Sequence, residues 1–423
     1  MGQTVTVLAA VRGAAETDVV LTLGAPGSGA SVTRRCGDVV ELLGAAAAGA
    51  GSVAVVSGDL PGFDRETVAR LHAAGVRVVV LAERHDGDRV RALGVDVVLE
   101  GSADGLVEAV RDAEGIVPVA APDEEPARAE TPPGRVVVVW GPAGAPGRTT
   151  VALELAAELA GAPGRRARRA APQPEPADAR DVLLVDADTH ASSLAMRLGL
   201  LDDAPGLAAA CRQASQGTLD AVALARQCPV VAPRLRVLTG LTRAARWPEV
   251  PASSLEVVLD RARELAAWTV VDTAAPVEAD EVLMYDTLAP QRNAATLTAL
   301  AAADDVVVVG SADPVGIQRL VRALEELREA PVPVPAPVTV VVNRVRASAV
   351  GARPEAAVRE AMARYAGLDD VVVVPNDPAG LDGALLAGRS LAEHAPGSPV
   401  RLAVAGLAER LRNQVSPLPH SAL

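Results

Sequence analysis

The sequence predicts an α/β protein with two doubly wound, mainly parallel three-layer domains, a small one followed by a larger one. The chain has 423 residues, more than one domain usually holds. Short valine-rich runs alternate with helix-like stretches, a pattern typical of βαβ units and parallel sheets. Two segments rich in proline, alanine and charged residues interrupt it. The predicted organisation is a first domain at 1–117, a linker at 118–134, a second domain at 135–415 with a disordered insertion at 165–180, and a tail at 416–423.

The composition argues against several classes of function. Half of the residues are apolar but only 1% are aromatic, so the cores must be built from Ala, Val and Leu, and platforms for base stacking are not expected. The net charge of −13 disfavours strong nucleic-acid binding and the coating of anionic membranes. No apolar run reaches the roughly 18 residues of a membrane span, and no basic region precedes the first apolar run. We therefore expect a cytoplasmic protein.

The cysteines and the basic residues are also informative. Cys36, Cys211 and Cys228 are far apart and lack metal-ligand spacing, so we expect them to be small buried side chains rather than disulfide or zinc partners. The chain contains no lysine, and its 40 lysine-plus-arginine positions are all arginine. A site that normally uses lysine must therefore use another residue here.

The first domain is predicted to hold a parallel sheet of about five strands, joined by right-handed helical crossovers. The predicted strands are Val5–Ala10, Ser31–Thr33, Val53–Val56, Val76–Leu81 and Val95–Leu99. The predicted helices are Ala14–Leu23, Gly37–Ala48, Glu66–Ala74, Asp86–Leu93 and Ala103–Asp112.

The segment from Val53 to Asp64 resembles the third strand and following loop of response-regulator receiver domains. In that family an aspartate four residues before the loop proline accepts a phosphoryl group, whereas this chain has Ser57 four residues before Pro61. The family's basic site has no lysine to fill it. The resemblance therefore implies a pseudo-receiver that docks proteins or is purely structural, with phosphorylation of the nearby Asp59 as the alternative.

A glycine-rich turn at the start of the second domain predicts an anion-binding site. The strand Arg135–Trp140 is apolar after its first residue, as expected for a strand covered on both faces. The turn that follows leads into a helix predicted at Thr149–Leu159 with one apolar face. Unpaired N–H groups and the positive end of the helix dipole would point to one place. Gly144 and Gly147 would let a phosphate approach the backbone, and the Thr149 hydroxyl could contact Mg²⁺.

This turn resembles the deviant Walker A loop, KGGxGKTT, of the MinD/ParA ATPase family, with Ala143 to Thr150 in register. The resemblance implies ATP and Mg²⁺ as cofactors. Ala143 replaces the lysine that reaches the nucleotide of a dimer partner, and Arg148 replaces the lysine that grips the phosphates. A planar guanidinium does not substitute for a compact ammonium in a tight site, so hydrolysis is expected to be slow or impaired. The implied nucleotide contacts in the loop are Gly144, Ala145, Pro146, Gly147, Arg148, Thr149 and Thr150.

Carboxylates follow two further apolar strands. The segment Val182 to Asp188 resembles the family's second strand and first switch, which implies that Asp188 positions the attacking water. The segment Trp268 to Pro276 resembles the Walker B strand and second switch. Together the two segments imply that Mg²⁺ is held by Thr149, Asp186 and Asp272. The alternative is that these aspartates cap helices or form turns.

Two later strand ends complete the family's order of motifs. Asn343 and Arg344 follow the apolar run that begins at Val338, and they match residues that contact adenine in the family; an asparagine side chain offers both a donor and an acceptor to a purine edge. Pro375 follows the run from Val371 and matches the loop that closes over the base. Ligands of open α/β sheets bind at the carboxyl ends of the strands, where all of these residues are predicted.

The last predicted helix, about Val400 to Arg412, carries an apolar stripe of Val400, Val404, Leu407 and Leu411. We expect this stripe to pack in the core. Two prolines follow in the tail and prevent a membrane helix, so no autonomous membrane anchor is expected.

The two-domain order resembles the CpaE/TadZ branch of the family and its septum-site-determining relatives in actinobacteria. The function implied is an ATP-binding spatial regulator of septum placement or of pilus or secretion machinery. It would act as a nucleotide-linked homodimer with protein partners of that machinery, which could recruit it to a membrane. The alternative is an inactive scaffold of the same fold. A Rossmann dehydrogenase is disfavoured, because GxGxxG is absent and Arg148 and Asp272 would have no role.

Overall fold

A computed structural model describes residues 4–101, 104–115, 132–144, 147–161, 181–200, 205–279 and 290–415. Within it the chain divides into two compact units, Met1–Glu130 with Arg212–Leu219, and Thr131–Cys211 with Asp220–Leu423. The predicted insertion 165–180 and tail 416–423 lie outside the described residues, as does most of the linker predicted at 118–134.

The first unit is a parallel five-stranded sheet with helices between the strands, which confirms the predicted fold class. Its strands lie in the order β2-β1-β3-β4-β5, the order of flavodoxin-like doubly wound domains. All four strand pairs are parallel. The strands are β1 (Val5–Ala10), β2 (Ala30–Arg35), β3 (Val53–Ser57), β4 (Arg77–Ala82) and β5 (Val97–Glu100). The helices are α1 (Ala14–Leu23), α2 (Val39–Ala47), α3 (Arg65–Ala73), α4 (Gly87–Arg91) and α5 (Leu106–Gly115).

Local sequence signals explain where these elements begin. Every residue of β3 is buried, because helices cover both faces of the sheet. The Asp38 side chain accepts a hydrogen bond from the Glu41 N–H and so starts α2, and Asp64 starts α3 by accepting one from the Thr67 N–H. The predicted helix at Gly37–Ala48 therefore begins two residues later than expected, immediately after its cap.

Ser57 ends β3 as a structural side chain. It is buried, and its Oγ accepts a hydrogen bond of 2.9 Å from the Arg12 N–H after β1. Asp59 is exposed and lies 3.5 Å from the Arg12 guanidinium. At the position where the receiver family has its phosphoryl acceptor, this chain thus has a hydroxyl that links the ends of two neighbouring strands. The pseudo-receiver interpretation stays a prediction.

The second unit is built on an eight-stranded sheet in the order β13-β12-β11-β6-β10-β7-β9-β8. All pairs are parallel except β8 with β9, an antiparallel edge that the sequence analysis did not predict. The strands are β6 (Arg135–Trp140), β7 (Asp181–Ala187), β8 (Val230–Ala232), β9 (Leu235–Leu238), β10 (Ala266–Thr273), β11 (Asp305–Ser311), β12 (Val338–Val345) and β13 (Val372–Pro375).

The α-helices that accompany this sheet are, in chain order, α6 (Arg148–Leu159), α7 (Leu194–Arg197), α8 (Gly206–Ser215), α9 (Ala221–Gln227), α10 (Ala252–Leu265), α11 (Ala294–Ala301), α12 (Pro314–Arg328), α13 (Ala347–Val350), α14 (Pro354–Ala366), α15 (Pro378–Leu386), α16 (Leu391–His394) and α17 (Pro399–Val415). The carboxyl ends of β6, β7, β10, β11 and β12 lie at the same edge of the sheet, because these strands are parallel.

Helix α6 is more completely buried than its spacing of apolar residues predicts. The sequence indicates a single apolar face, but every residue from Val151 to Leu159 is buried, including Glu154 and Glu158. Helix α17 packs against it and supplies the cation for one of these carboxylates: the Arg401 guanidinium donates to both Glu158 carboxylate oxygens at 2.6 and 2.8 Å. This pair lets α6 carry an acidic residue into the interior.

The apolar stripe of α17 packs in the core, as predicted, since its four residues, Val400, Val404, Leu407 and Leu411, are at most 2% exposed. The three cysteines are also buried as expected. In the described part of the chain, no helix is both long and apolar enough to cross a bilayer.

The interactions of Asp96 in the first unit predict how the stability of this fold depends on pH. Burial alone would raise the pKa of Asp96, but a hydrogen bond from His72, another from the Val78 N–H, and the charge of Arg77 outweigh burial and hold the pKa below its usual value. Because the folded pKa is lowered, this stabilisation is complete above the unfolded pKa of about 3.9 and is lost as the pH falls through the folded value.

We expect Asp96→Asn to destabilise the first unit by about 2 kcal/mol at pH 7, since charged hydrogen-bond partners lose their acceptor. The difference from the parent chain should shrink as the pH falls from about 3.9 toward the lower folded pKa, below which the parent carboxylate is protonated in the folded state as well. Scanning calorimetry of the full chain between pH 3 and 7 measures both effects. Asp88→Asn is the control, because that carboxylate is fully exposed. Equal losses at pH 3 and pH 7 would contradict the assignment.

Candidate functional site

The described residues of the glycine-rich turn after β6, which are Gly141 to Gly144 and Gly147, form a cradle in front of α6. Gly144 and Gly147 have positive φ angles of 68° and 108°, which favour glycine. A Cβ added to Gly147 would collide with the side-chain amide of Asn343. Helix α6 begins at Arg148, so its first N–H groups face the turn. Ala145 and Pro146, two of the predicted nucleotide contacts, lie outside the described residues.

The side chain of Arg148 folds back into this cradle. Its Nη1 donates to the carbonyl oxygens of Gly141 and Pro142 at 2.9 and 3.1 Å. Its Nη2 lies 3.7 Å from an Asp188 carboxylate oxygen, and the two side chains are only 16% and 6% exposed. The residue predicted to grip phosphate is thus held by the carbonyls of its own loop and by a carboxylate. A phosphate in the cradle would compete with these partners for the guanidinium.

Asp188 lies in the turn after β7 and uses its two carboxylate oxygens differently. Its Oδ1 accepts hydrogen bonds from the N–H groups of His190 and Ala191 at 2.9 and 2.8 Å. Its Oδ2 faces Arg148. Asp188 therefore does form a turn, which was the structural alternative considered from the sequence. The turn also orients the second carboxylate oxygen toward the cradle.

Asp186 ends β7 almost completely buried. Its Oδ2 accepts hydrogen bonds of 3.0 Å from the N–H groups of Ser193 and Leu194 and so caps α7. Its Oδ1 has no hydrogen-bond donor among the residues described. Burial raises the pKa of Asp186 to about 6, and the nearby negative charge of Asp188 adds to this. One oxygen is therefore structural, while the other lacks a partner.

Asp272, near the end of β10, is beside Asp186 because the parallel register pairs these two residues. It is 1% exposed, and neither carboxylate oxygen accepts a hydrogen bond of ordinary geometry from the described part of the chain. Burial raises the pKa of Asp272 well above its usual range, and the charge of Asp186 raises it further. The nearby Thr149 hydroxyl and Arg148 act in the opposite direction.

These features fit a cation held with the help of a ligand. Three buried oxygens of Asp186 and Asp272 accept no hydrogen bond of ordinary geometry from the described residues, and buried carboxylates are normally paired or bound to metal. Over the described ranges, however, no three acidic, histidine or cysteine side chains come together as a complete metal site. A cation here would need further oxygen ligands. Mg²⁺ commonly takes them from phosphates and water, with one or two carboxylates from the protein.

Four predicted nucleotide contacts line a single cleft of about 410 Å³ beside the cradle, namely Thr150, Asn343, Arg344 and Pro375. Asn343 is buried, and its Oδ1 accepts a hydrogen bond of 2.8 Å from the Arg344 N–H. Both residues belong to β12, where a bulge interrupts the pairing with β13, rather than to the loop after it. Arg344 has a positive φ of 56°, a conformation that is costly for a residue other than glycine.

Several residues at the site were not found from the sequence. Arg292 donates to the Thr189 hydroxyl at 3.0 Å and its carbonyl at 3.1 Å, next to Asp188 in the chain. Its guanidinium lies over the Trp247 ring, and burial lowers its pKa. Arg197 donates to the Thr150 hydroxyl at 3.3 Å. These arginines lie outside the recognisable motifs, so no local pattern marks them.

The comparisons with known proteins match the fold rather than the sequence. No protein-family model and no curated protein sequence matches the chain. A ParA-family ATPase from Chlorobium tepidum is 18% identical with a TM-score of 0.51, and the match covers 65% of this chain and 98% of that chain.

Two solved MinD proteins are similar at a lower score. The cell-division ATPase MinD of Pyrococcus furiosus is 19% identical with a TM-score of 0.48, over 67% of this chain and 100% of that chain. The septum site-determining protein MinD of Pyrococcus horikoshii, solved with Mg-ADP, is 19% identical with a TM-score of 0.47, over 67% and 98% of the two chains. On the strength of the Chlorobium match, about two thirds of this chain has the fold of a ParA-family P-loop ATPase.

Proposed function

We propose that this protein is an ATP-binding spatial regulator of the MinD/ParA kind with slow or impaired hydrolysis. One observation carries the proposal: buried carboxylate oxygens of Asp186 and Asp272, which accept no hydrogen bond of ordinary geometry from the described residues, lie next to a glycine cradle at a helix N-terminus. The cradle suits phosphates, and the carboxylates suit the cation that accompanies them. The fold of the Chlorobium ParA-family ATPase is consistent with this assignment.

Each residue has a defined part in this proposal. The backbone from Gly144 to Thr150 binds the phosphates, while Asn343, Arg344 and Pro375 bind the base. Thr149, Asp186 and Asp272 hold Mg²⁺, which when bound neutralises charge on the phosphates. Asp188 orients the attacking water through the oxygen that its turn leaves free.

Arg148 limits the rate in this scheme. Its guanidinium must leave two loop carbonyls before it can contact a phosphate, and it stays close to Asp188. A planar fork held by several acceptors moves less freely than a lysine ammonium. We therefore expect ATP to bind and turnover to be slow.

The regulator would act through nucleotide-dependent contacts with other proteins. ATP closes a homodimer, and the closed form presents a surface to partners in septal, pilus or secretion machinery, which recruit it to the membrane. The CpaE-like or septum-site subtype rests on the order of a pseudo-receiver followed by an ATPase domain and on the loop sequence from Gly144 to Thr150.

An inactive scaffold of the same fold is the second candidate. The observation that favours it is the pairing of Arg148 with its own loop and with Asp188, which fills the phosphate cradle from within. The absence of a lysine at Ala143 points the same way. In this case the chain would act only through protein contacts, with or without a bound nucleotide.

Substitution of Arg148 separates the two candidates. We expect Arg148→Lys to raise ATP turnover about tenfold, because a lysine has one nitrogen and cannot contact both loop carbonyls with one nitrogen while a second approaches Asp188. Arg148→Ala should weaken MgATP binding about tenfold through loss of the charge. Calorimetry and phosphate release measure the two quantities, with the exposed Arg226→Lys on α9 as control. Unchanged binding and turnover in both variants would mean that the loop is only a turn.

Substitution of Asp188 tests the catalytic assignment. We expect Asp188→Ala to reduce turnover at least about a hundredfold, the usual contribution of a group that moves or orients a proton. MgATP binding should persist, because Arg148 loses a competing carboxylate, and light scattering should still detect the ATP-bound homodimer. Asp260→Ala, an exposed position on α10, is the control. Turnover that survives in Asp188→Ala would remove this residue from the mechanism, whereas no turnover in the parent chain would favour the scaffold.

Substitution of Asp272 tests the metal assignment through stability. Without ligands, we expect Asp272→Asn to be at least as stable as the parent chain, since it removes a carboxyl group whose ionisation burial and Asp186 both oppose. With Mg-ADP the order should reverse, because the parent gains the cation and the variant does not. Thermal unfolding with ADP, with and without Mg²⁺, measures this, and Asp260→Asn is the control. An equal Mg²⁺-dependent gain in parent and variant would contradict the assignment.

A further inference from the structure

The cleft beside the cradle is lined by more basic than acidic side chains. Four arginines line it, Arg197, Arg344, Arg346 and Arg389. No salt bridge joins any of them to an acidic residue in the described part of the chain, whereas other arginines of the second unit do have such partners, namely Arg135, Arg148, Arg236, Arg246, Arg261, Arg263, Arg401 and Arg410. In a chain with a net charge of −13, such a concentration is not a consequence of composition.

Two of these guanidiniums are positioned by neutral acceptors. Arg346 donates from Nη1 to the Arg344 carbonyl oxygen at 2.9 Å, and Arg197 donates from Nη1 to the Thr150 hydroxyl at 3.3 Å. Each guanidinium has five N–H donors, so several stay available in each. The hydrogen bond from Arg346 also holds the positive-φ residue Arg344 at the bulge of β12.

The acidic residues of the cleft cancel only part of this charge. Asp377 accepts from the Gly380 N–H at 3.0 Å and from the Ser398 hydroxyl at 2.7 Å, so both of its oxygens are used. Glu154 accepts from the Leu391 N–H, and burial raises its pKa to about 8, which leaves it mostly uncharged at pH 7. Asp382 is exposed. The cleft therefore keeps an excess of positive charge.

Thr150 belongs to both the cradle and the cleft, so a ligand can extend from one to the other. Under the proposed function, the 5′-phosphates occupy the cradle and the nucleoside occupies the cleft. An unmodified adenosine carries no charge and would give the four guanidiniums no anionic partner. A phosphate on the ribose would provide that anion, because arginine binds phosphate in a bidentate manner.

We propose that the cleft binds a nucleotide whose ribose carries its own phosphate group on the 2′ or 3′ hydroxyl, with Arg346 and Arg389 as the principal contacts. This proposal rests on the nucleotide-binding part of the proposed function and adds a second class of ligand for the same site, beside ATP. The shared chemistry is a ribose phosphate monoester, which occurs on 2′-phosphorylated dinucleotides and on 3′-phosphorylated nucleotides.

The test compares ligands that differ by one phosphate. Adenosine 2′,5′-bisphosphate, adenosine 3′,5′-bisphosphate and 5′-AMP are titrated into the full chain by calorimetry at about 100 mM salt, together with ADP and MgATP. We expect one bisphosphate to bind at least about tenfold more tightly than 5′-AMP, the effect of one charge-assisted contact. The preferred isomer identifies the source of the phosphate.

Matched variants assign the effect to residues. In Arg346→Gln/Arg389→Gln the preference for the bisphosphate should fall below about threefold, and each single variant should lose part of it. Arg364→Gln should keep the full preference, since that exposed arginine on α14 contacts the Tyr365 ring and not the cleft. A preference that persists in the double variant would overturn the assignment.

Failure of the inference can be distinguished from failure of the proposed function. If ADP and MgATP bind while neither bisphosphate exceeds 5′-AMP, the ribose-phosphate site is wrong and the nucleotide-binding function stands. If none of the five ligands binds, both proposals are wrong.

Discussion

The site depends on one constraint, the parallel pairing of β7 with β10 that places Asp186 next to Asp272 in the interior. Two carboxylates at adjacent positions in a region of low dielectric repel each other, and burial opposes the charge of each. Asp188 adds a third acidic group, and the Arg148 guanidinium lies 3.7 Å from it. Buried carboxyl groups whose ionisation is opposed in this way are unfavourable for a purely structural region, which is why we assign them to a ligand and its cation.

The absence of lysine affects the chain unequally. At surface positions such as Arg410, which pairs with Asp370, a lysine would carry the same charge with little structural consequence. At Arg148 the fork geometry lets one side chain contact the carbonyls of Gly141 and Pro142 and still approach Asp188. The use of arginine in place of lysine matters little at the surface. In this loop it gives the phosphate-binding residue, Arg148, hydrogen-bond partners within the loop itself.

The sequence predicted the sheet better than the side-chain contacts. The strand Arg135–Trp140 and the helix Ala14–Leu23 have the predicted bounds, because a run of valines or a helical stretch followed by glycine is a local signal. The return of Arg148 to its own loop, the contact of Arg292 with Thr189 and the burial of Glu154 depend on residues far apart in the chain, and no local pattern encodes them. The edge hairpin of β8 and β9 was missed because its strands are three and four residues long.

The cradle and the cleft are connected through Asn343. Its side-chain amide occupies the space that a Cβ of residue 147 would need, so the glycine turn can only take its observed path when residue 147 has no side chain. Its Oδ1 fixes the N–H of Arg344, the strained residue that lines the cleft. A shift of Asn343 toward a bound base would therefore change the contacts of Gly147 and of Arg344 at once. Base recognition and phosphate binding share this side chain, so the two are expected to depend on each other energetically.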